Sequence, residues 1–303
     1  NWPCFGFELQ PGLPQTGQAG MAGETLDSLP HVVRLLDDED PRVRDSLKQY
    51  FASCEGNLSH ELSSRGIALS DESRSHLARL LGPARRRRIR EEWLVPARGL
   101  DSHDGDWDTF EVLLRLISDL LHDGSTLRPT LPDAVDQLAD EVVLRDAHHT
   151  EEDLCGYLFG SGRFRPNSHS YYDRTNSDLV WVLTHHRGNP LGLTILAMLV
   201  ARRLNLHIFG CNFPGHFLGW IGYDGETQLV DCYHRGRLIP STDLHSNRQA
   251  LSAEAQRAVE GPCSLGSIIQ RVLANLRLSL SQGGETENLG LVEELASSLS
   301  DES

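Results

Sequence analysis

The sequence predicts an α+β protein, with a helical N-terminal half followed by a core in which one central helix packs on a small antiparallel sheet. Three observations predict it. Apolar residues recur at helical spacing through most of the first half. Leu191, Leu193, Ile195, Leu196, Met198, Leu199 and Val200 are apolar nearly all round the next long helix, the pattern of a central buried element. After Leu206, short apolar runs are punctuated by Pro-Gly and Asp-Gly, which reads as an antiparallel meander.

Taken in order, residues 1–24 are rich in Gly, Pro and Gln without a period and are expected to be a disordered tail, with Met21 a candidate true start. From Leu29, two short apolar-periodic helices are split by an acidic turn at Pro41, with no second copy at a solenoid period. The hairpin is therefore expected to pack on the rest of the chain. Helices are predicted over 106–121 and 131–145, the first with acids in its first turn and the second with Pro132 in its own. Thr150 reads as the cap of another short helix, and 159–167 as a loop without a phosphate-loop pattern. Residues 176–187 read as a helix closed by Gly188, and Pro190 suits the first turn of the central helix. Strands follow around Ile208, His216 and Gln228, then a capped helix over 262–278. The expected division is 1–24 tail, 25–150 helical region, 151–282 core and 283–303 disordered acidic tail.

Composition excludes several function classes. With 28 basic against 43 acidic residues the net charge is −15, which repels nucleic acid and anionic membranes. The run Arg85 to Arg88 with Arg90 is the local exception, and Glu91 and Glu92 follow it directly, so a self-paired helix face is expected. No apolar stretch reaches the roughly 20 residues needed to span a bilayer, and residues 1–19 lack the pattern of a secretory signal. A cytoplasmic address is the expectation. The six cysteines form no CxxC pair, so neither a zinc ribbon nor a disulfide framework is predicted. The paired histidines 148–149 and 185–186, and His234, have no accompanying histidine or cysteine four residues on, so no metal and no cofactor are expected.

The chemistry concentrates between residues 176 and 238. His216, in Pro-Gly-His-Phe-Leu, and Asp231, in Leu-Val-Asp-Cys-Tyr, lie on successive strands that can set them side by side. The pair reads either as an imidazole oriented by a carboxylate or as a polar lock on the sheet register. Tyr172 and Asn176 precede the central helix and could line the cleft or cap helices; Thr194 lies one turn into it, on the Pro190 face. Cys211 and Cys232 adjoin the pair in sequence, yet neither starts a helix, where a thiolate would be stabilised. Ser177 is a further hydroxyl candidate.

The order helix, His strand, Asp strand resembles the transglutaminase-like superfamily of papain-type folds, and Arg187-Gly-Asn-Pro190, Phe213-Pro-Gly-His-Phe-Leu218 and Asp231-Cys-Tyr-His234 resemble its bacterial SirB-type family over residues 164 to about 280. The N-terminal hairpin resembles a single HEAT repeat. The superfamily resemblance implies a nucleophilic cysteine at the start of the central helix, where this chain has Pro190. Proline in that place implies a noncatalytic binding or scaffolding protein with a protein or peptide partner, His216 and Asp231 being a retained dyad. The alternative is a hydrolase or acyltransferase on amide substrates using His216 and Asp231 with another nucleophile or an activated water.

Overall fold

A computed structural model describes residues 28–54, 58–96, 98–223, 226–246 and 251–299. The expected tail 1–24 and the turn residues Asp224 and Gly225 lie outside the described residues.

The chain divides into two compact units, 1–84 with 123–125, and 85–122 with 126–303. The boundary falls inside a helix at Ala84, earlier than the expected 150/151. In the first unit, Pro41 starts a helix because the Asp40 carboxylate caps it, accepting the Arg42 N–H at 2.8 Å. Helices α1 (Leu29–Val33), α2 (Pro41–Ala52) and α3 (Leu58–Ser64) and the first part of α4 (Asp71–Glu92) close over Leu29, Leu36, Leu47, Phe51, Leu62 and Leu77.

The second unit is built from α5 (Trp107–Leu121), α6 (Leu131–Leu144), α7 (Glu151–Cys155), α8 (Leu179–His185) and α9 (Pro190–Arg203). α9 is the predicted central helix, and every residue from Pro190 to Ala201 is buried. Each buried Leu or Ile contributes roughly 1.5–3 kcal/mol, so this helix anchors the unit against α6, α7, α8 and the sheet. Its far end is pinned where Arg203 meets Glu111 and Asp136.

Two short strands, β1 (Arg165–Pro166) and β2 (Arg187–Gly188), pair in parallel. They displace the expected C-cap: His186, at φ 54°, takes the left-handed turn that ends α8, leaving Gly188 to pair as strand. The main sheet runs β3 (Phe209–Cys211), β4 (Leu218–Tyr223), β5 (Glu226–Asp231) and β6 (Arg237–Pro240), all antiparallel neighbours, with Gly219 opposite Val230 and Val230 opposite Leu238. β6 was not foreseen, because its four residues carry no alternation.

Beyond the sheet come α10 (Ser241–Ser246), α11 (Ala253–Ala258) and α12 (Leu265–Gly283), then α13 (Thr286–Ser298). That last helix corrects the expected tail over 283–303. Leu291, Val292 and Leu295 bury one face in the unit's core, α13 packs on α12, and the Trp93 indole N–H donates to Ser298 Oγ at 3.1 Å. Apolar spacing outweighs the Gly, Ser and Glu composition that suggested disorder.

Candidate functional site

His216 does not lie on β4 but two residues before it, in a turn where its N–H donates to the Phe213 carbonyl and Gly215 adopts φ 71°. Asp231 is the last residue of β5. The register carries Leu218 toward Asp231, and from the turn His216 Nε2 reaches Asp231 Oδ1 at 2.9 Å. The predicted pair therefore forms, with the imidazole partly exposed and the carboxylate buried.

A second imidazole joins it, which the sequence did not reveal. After β5 the chain turns through residues 232–236, with Arg235 at φ 63° and Gly236 at φ 68°. This folds His234 back so that its Nδ1 lies 2.8 Å from Asp231 Oδ2 while its backbone N–H donates to Oδ1 at 3.0 Å. A Cβ at Gly236 would stand 3.0 Å from the Cys155 carbonyl oxygen, so the close approach itself favours glycine. Burial alone would raise the Asp231 carboxyl, but the His216 and His234 ring hydrogen bonds and the His234 N–H outweigh it and hold the group down at about 2.

Beside the dyad is a cavity of about 220 Å³ whose wall includes Gly215 and Phe217 on either side of His216, together with Tyr171, Tyr172, Pro190 and Arg271. An edge-to-face chain of rings links dyad and cavity: His216 to Tyr233 at 6.2 Å, Tyr233 to Tyr171 at 6.0 Å, Tyr171 to Tyr172 at 5.0 Å. Pro190 occupies the first position of α9, with Asn189 Oδ1 accepting the Gly192 N–H at 2.8 Å as the cap. Arg271, also unforeseen as a site residue, lies over the Phe217 ring at 5.3 Å and donates to the Asn212 side chain. Burial lowers the proton affinity of its guanidinium, and among the described residues no carboxylate pairs with it.

Of the other predicted cleft residues, Tyr172 and Pro190 line the cavity, and Ser177 does as well. Asn176 and Thr194 do not. Asn176 is buried as a loop staple, its Nδ2 donating to the carbonyls of Ser170, Tyr171 and Asp173 and its Oδ1 accepting from Asn167. Thr194, fully buried one turn deeper in α9, has its hydroxyl beside the Cys232 thiol and no other polar partner among the described residues.

No described thiol is prepared as a nucleophile. Burial pushes Cys211 and Cys232 up to about 12 and Cys263 to about 11, and holds Cys155 well above the ordinary thiol value. Cys211 Sγ instead lies 3.1 Å from the Ala258 carbonyl. An activated cysteine requires the opposite shift.

The arginine run is engaged by acids. Arg86 pairs with Glu287, Arg87 with Glu91, Arg88 with Glu92 and Asp119, and Arg90 with Glu294 at 2.6 Å. Among the described residues no helix is long and apolar enough to cross a membrane.

The transglutaminase-like superfamily model matches residues 129–274. A UPF0162 protein of Xylella fastidiosa (strain Temecula1) is 32% identical over 126 residues, covering 40% of this chain and 45% of that protein. A UPF0162 protein of Pseudomonas aeruginosa is 37% identical over 106 residues, covering 34% and 38%. F-box only protein 21 of Mus musculus is 28% identical over 133 residues, covering 41% and 21%. The chain thus spans less than half the length of these curated relatives, and no solved structure matches it. Residues 129–274 are thus similar to the transglutaminase-like superfamily core, and the matched stretch holds His216 and Asp231 in hydrogen-bonded contact.

Proposed function

We propose that this chain is a SirB-type transglutaminase-like protein whose cleft binds a peptide segment and does not react with it. The single observation that carries the reading is Pro190 at the first position of α9, on the cavity wall, where the superfamily's chemistry needs a thiol. The raised thiols support it, since none of them could take over at neutral pH. The hairpin of α1 and α2 is read as a single HEAT-like unit.

The cavity's chemistry suits a carboxylate-bearing peptide. Arg271 faces it without a carboxylate partner among the described residues, and the Tyr171 and Tyr172 rings offer flat contact area. Asp173 also lines the cavity, but its Oδ1 is taken by the Thr175 N–H at 2.8 Å and hydroxyl at 2.7 Å.

Two measurements test this. Thiol- and serine-directed activity probes applied to the folded chain should label none of Cys211, Cys232, Ser177 or Thr194; labelling that disappears in His216→Ala would overturn the noncatalytic reading. Short peptides with a free terminal carboxylate should bind more tightly than their amidated forms, and Arg271→Gln should erase the difference. Equal binding of both forms would sink the carboxylate assignment. The alternative reading, a hydrolase or acyltransferase on amides, is favoured by the intact His216–Asp231 contact, and amide turnover lost in Asp231→Asn would establish it.

A further inference from the structure

We propose that His216, Asp231 and His234 form a binding site for a divalent transition-metal ion of the zinc class, a role that goes beyond the peptide-binding reading and does not depend on it.

His216, His234 and Asp231 each offer one ligand atom, and these atoms lie within 4.8 Å of one another. Donors bound to one ion at about 2.0–2.2 Å stand roughly 3–4 Å apart. Nε2 of His216 lies 2.9 Å from Oδ1 and Nδ1 of His234 2.8 Å from Oδ2 of the one carboxylate, so modest rotations of the two rings and the carboxylate bring one donor atom of each toward a common point. His234 has the freedom to do so, because its side chain is 63% exposed.

The donor chemistry is suitable. Two imidazoles and a carboxylate are ligands of the zinc class, and three protein ligands leave coordination positions for water. No net proton need be lost from the imidazoles: when Nε2 of His216 and Nδ1 of His234 turn their lone pairs to the ion, each ring keeps its proton on its other nitrogen. The His234 N–H on Oδ1 supplies the outer hydrogen bond that orients a ligating carboxylate.

A register lock would need only one imidazole. The second arrives through a turn that places Arg235, a non-glycine residue, in the left-handed region that disfavours a side chain. The alternative cluster, Asp146, His148 and His149, lacks this preparation: its carboxylate is 81% exposed, where that of Asp231 is 5% exposed.

The test is calorimetric titration of untagged full chain with Zn²⁺, together with visible absorption of the Co²⁺ form. The expected result is one ion per chain, with affinity reduced at least about tenfold in His234→Ala and in Asp231→Asn, and unchanged in His149→Ala. The Co²⁺ spectrum should show nitrogen and oxygen ligation without a thiolate charge-transfer band. His234→Ala is the decisive variant, since an exposed side chain can be removed without loss of the fold, and circular dichroism will show that it was. Absence of stoichiometric binding, affinity unchanged in His234→Ala, loss in His149→Ala, or a thiolate band would each overturn the proposal. None of these outcomes bears on peptide binding, which is read separately through Arg271.

Discussion

Replacing Asp231 by asparagine removes the buried charge on which two imidazoles and a backbone N–H converge. A carboxyl with an ordinary value of 3.8 that is held at about 2 in the folded chain contributes about 2 kcal/mol at neutral pH. Because the folded value is the lower one, the contribution is fully present above the unfolded value near 4 and disappears as pH falls through about 2. Urea unfolding of wild type and Asp231→Asn, followed by tryptophan emission, should therefore differ by about 2 kcal/mol at pH 7, by about half of that at pH 3 and by little near pH 2. A difference below about 0.5 kcal/mol at pH 7, or one that is the same at pH 3, would show that the hydrogen bonds to Asp231 do not stabilise its ionised form.

Three further perturbations test the frame around the site. Leu291→Ala should cost about 2–5 kcal/mol, measured by chemical denaturation, because this residue is fully buried in α13; no cost would return 283–303 to the status of a tail. Gly192→Ala places a Cβ 2.9 Å from the Asn176 carbonyl oxygen, so a loss of about 1–3 kcal/mol is expected, together with altered peptide binding as the 170–177 loop shifts; an unchanged melting temperature would refute it. Arg128→Ala strips Asp178 of its 2.7 Å partner in a buried setting and should cost about 3–5 kcal/mol at pH 7. Burial already raises the Asp178 carboxyl, so protonation relieves the unpaired charge and the deficit should narrow at pH 4.5; a pH-independent deficit would count against this account.

The parts of the fold legible in the sequence are those set by local rules. Asp106, Thr130, Thr150 and Ser264 each cap a helix in the first described turn, and the apolar run of α9 is buried along most of its length. The His216–Asp231 contact was legible because antiparallel pairing leaves few alternatives once the two strands are recognised. His234 was not, since its return to Asp231 depends on two successive left-handed residues, Arg235 and Gly236, and on the space beside the Cys155 carbonyl. Thr194 was misplaced for a different reason. Helical phase puts it on the face of Pro190, but depth decides its neighbour: Pro190 starts the helix at the cavity, whereas one turn on Thr194 lies beside Cys232. Asn176 illustrates the same limit, because its buried amide is spent on carbonyls of its own loop, those of Ser170, Tyr171 and Asp173, and not on the cavity.

The dyad's two readings, register lock and functional site, make different demands on His216. A lock stabilises through the imidazole whatever occupies the cavity, so His216→Ala and Asp231→Asn would lower stability alike and leave ligand binding untouched. A site keeps His216 partly exposed beside the cavity wall formed by Gly215 and Phe217, as it is here. The exposure weakens a purely structural explanation, because a buried carboxylate is stabilised most by donors that are themselves shielded from water. With Pro190 at the helix start and every described thiol of this unit pushed upward, what the His–Asp pair can still offer is an imidazole of fixed orientation. An oriented imidazole serves a bound peptide as a hydrogen-bonding group and a metal ion as a ligand. The peptide and metal titrations in His216→Ala therefore decide between lock and site: both unchanged establishes the lock, and a loss in either establishes the site.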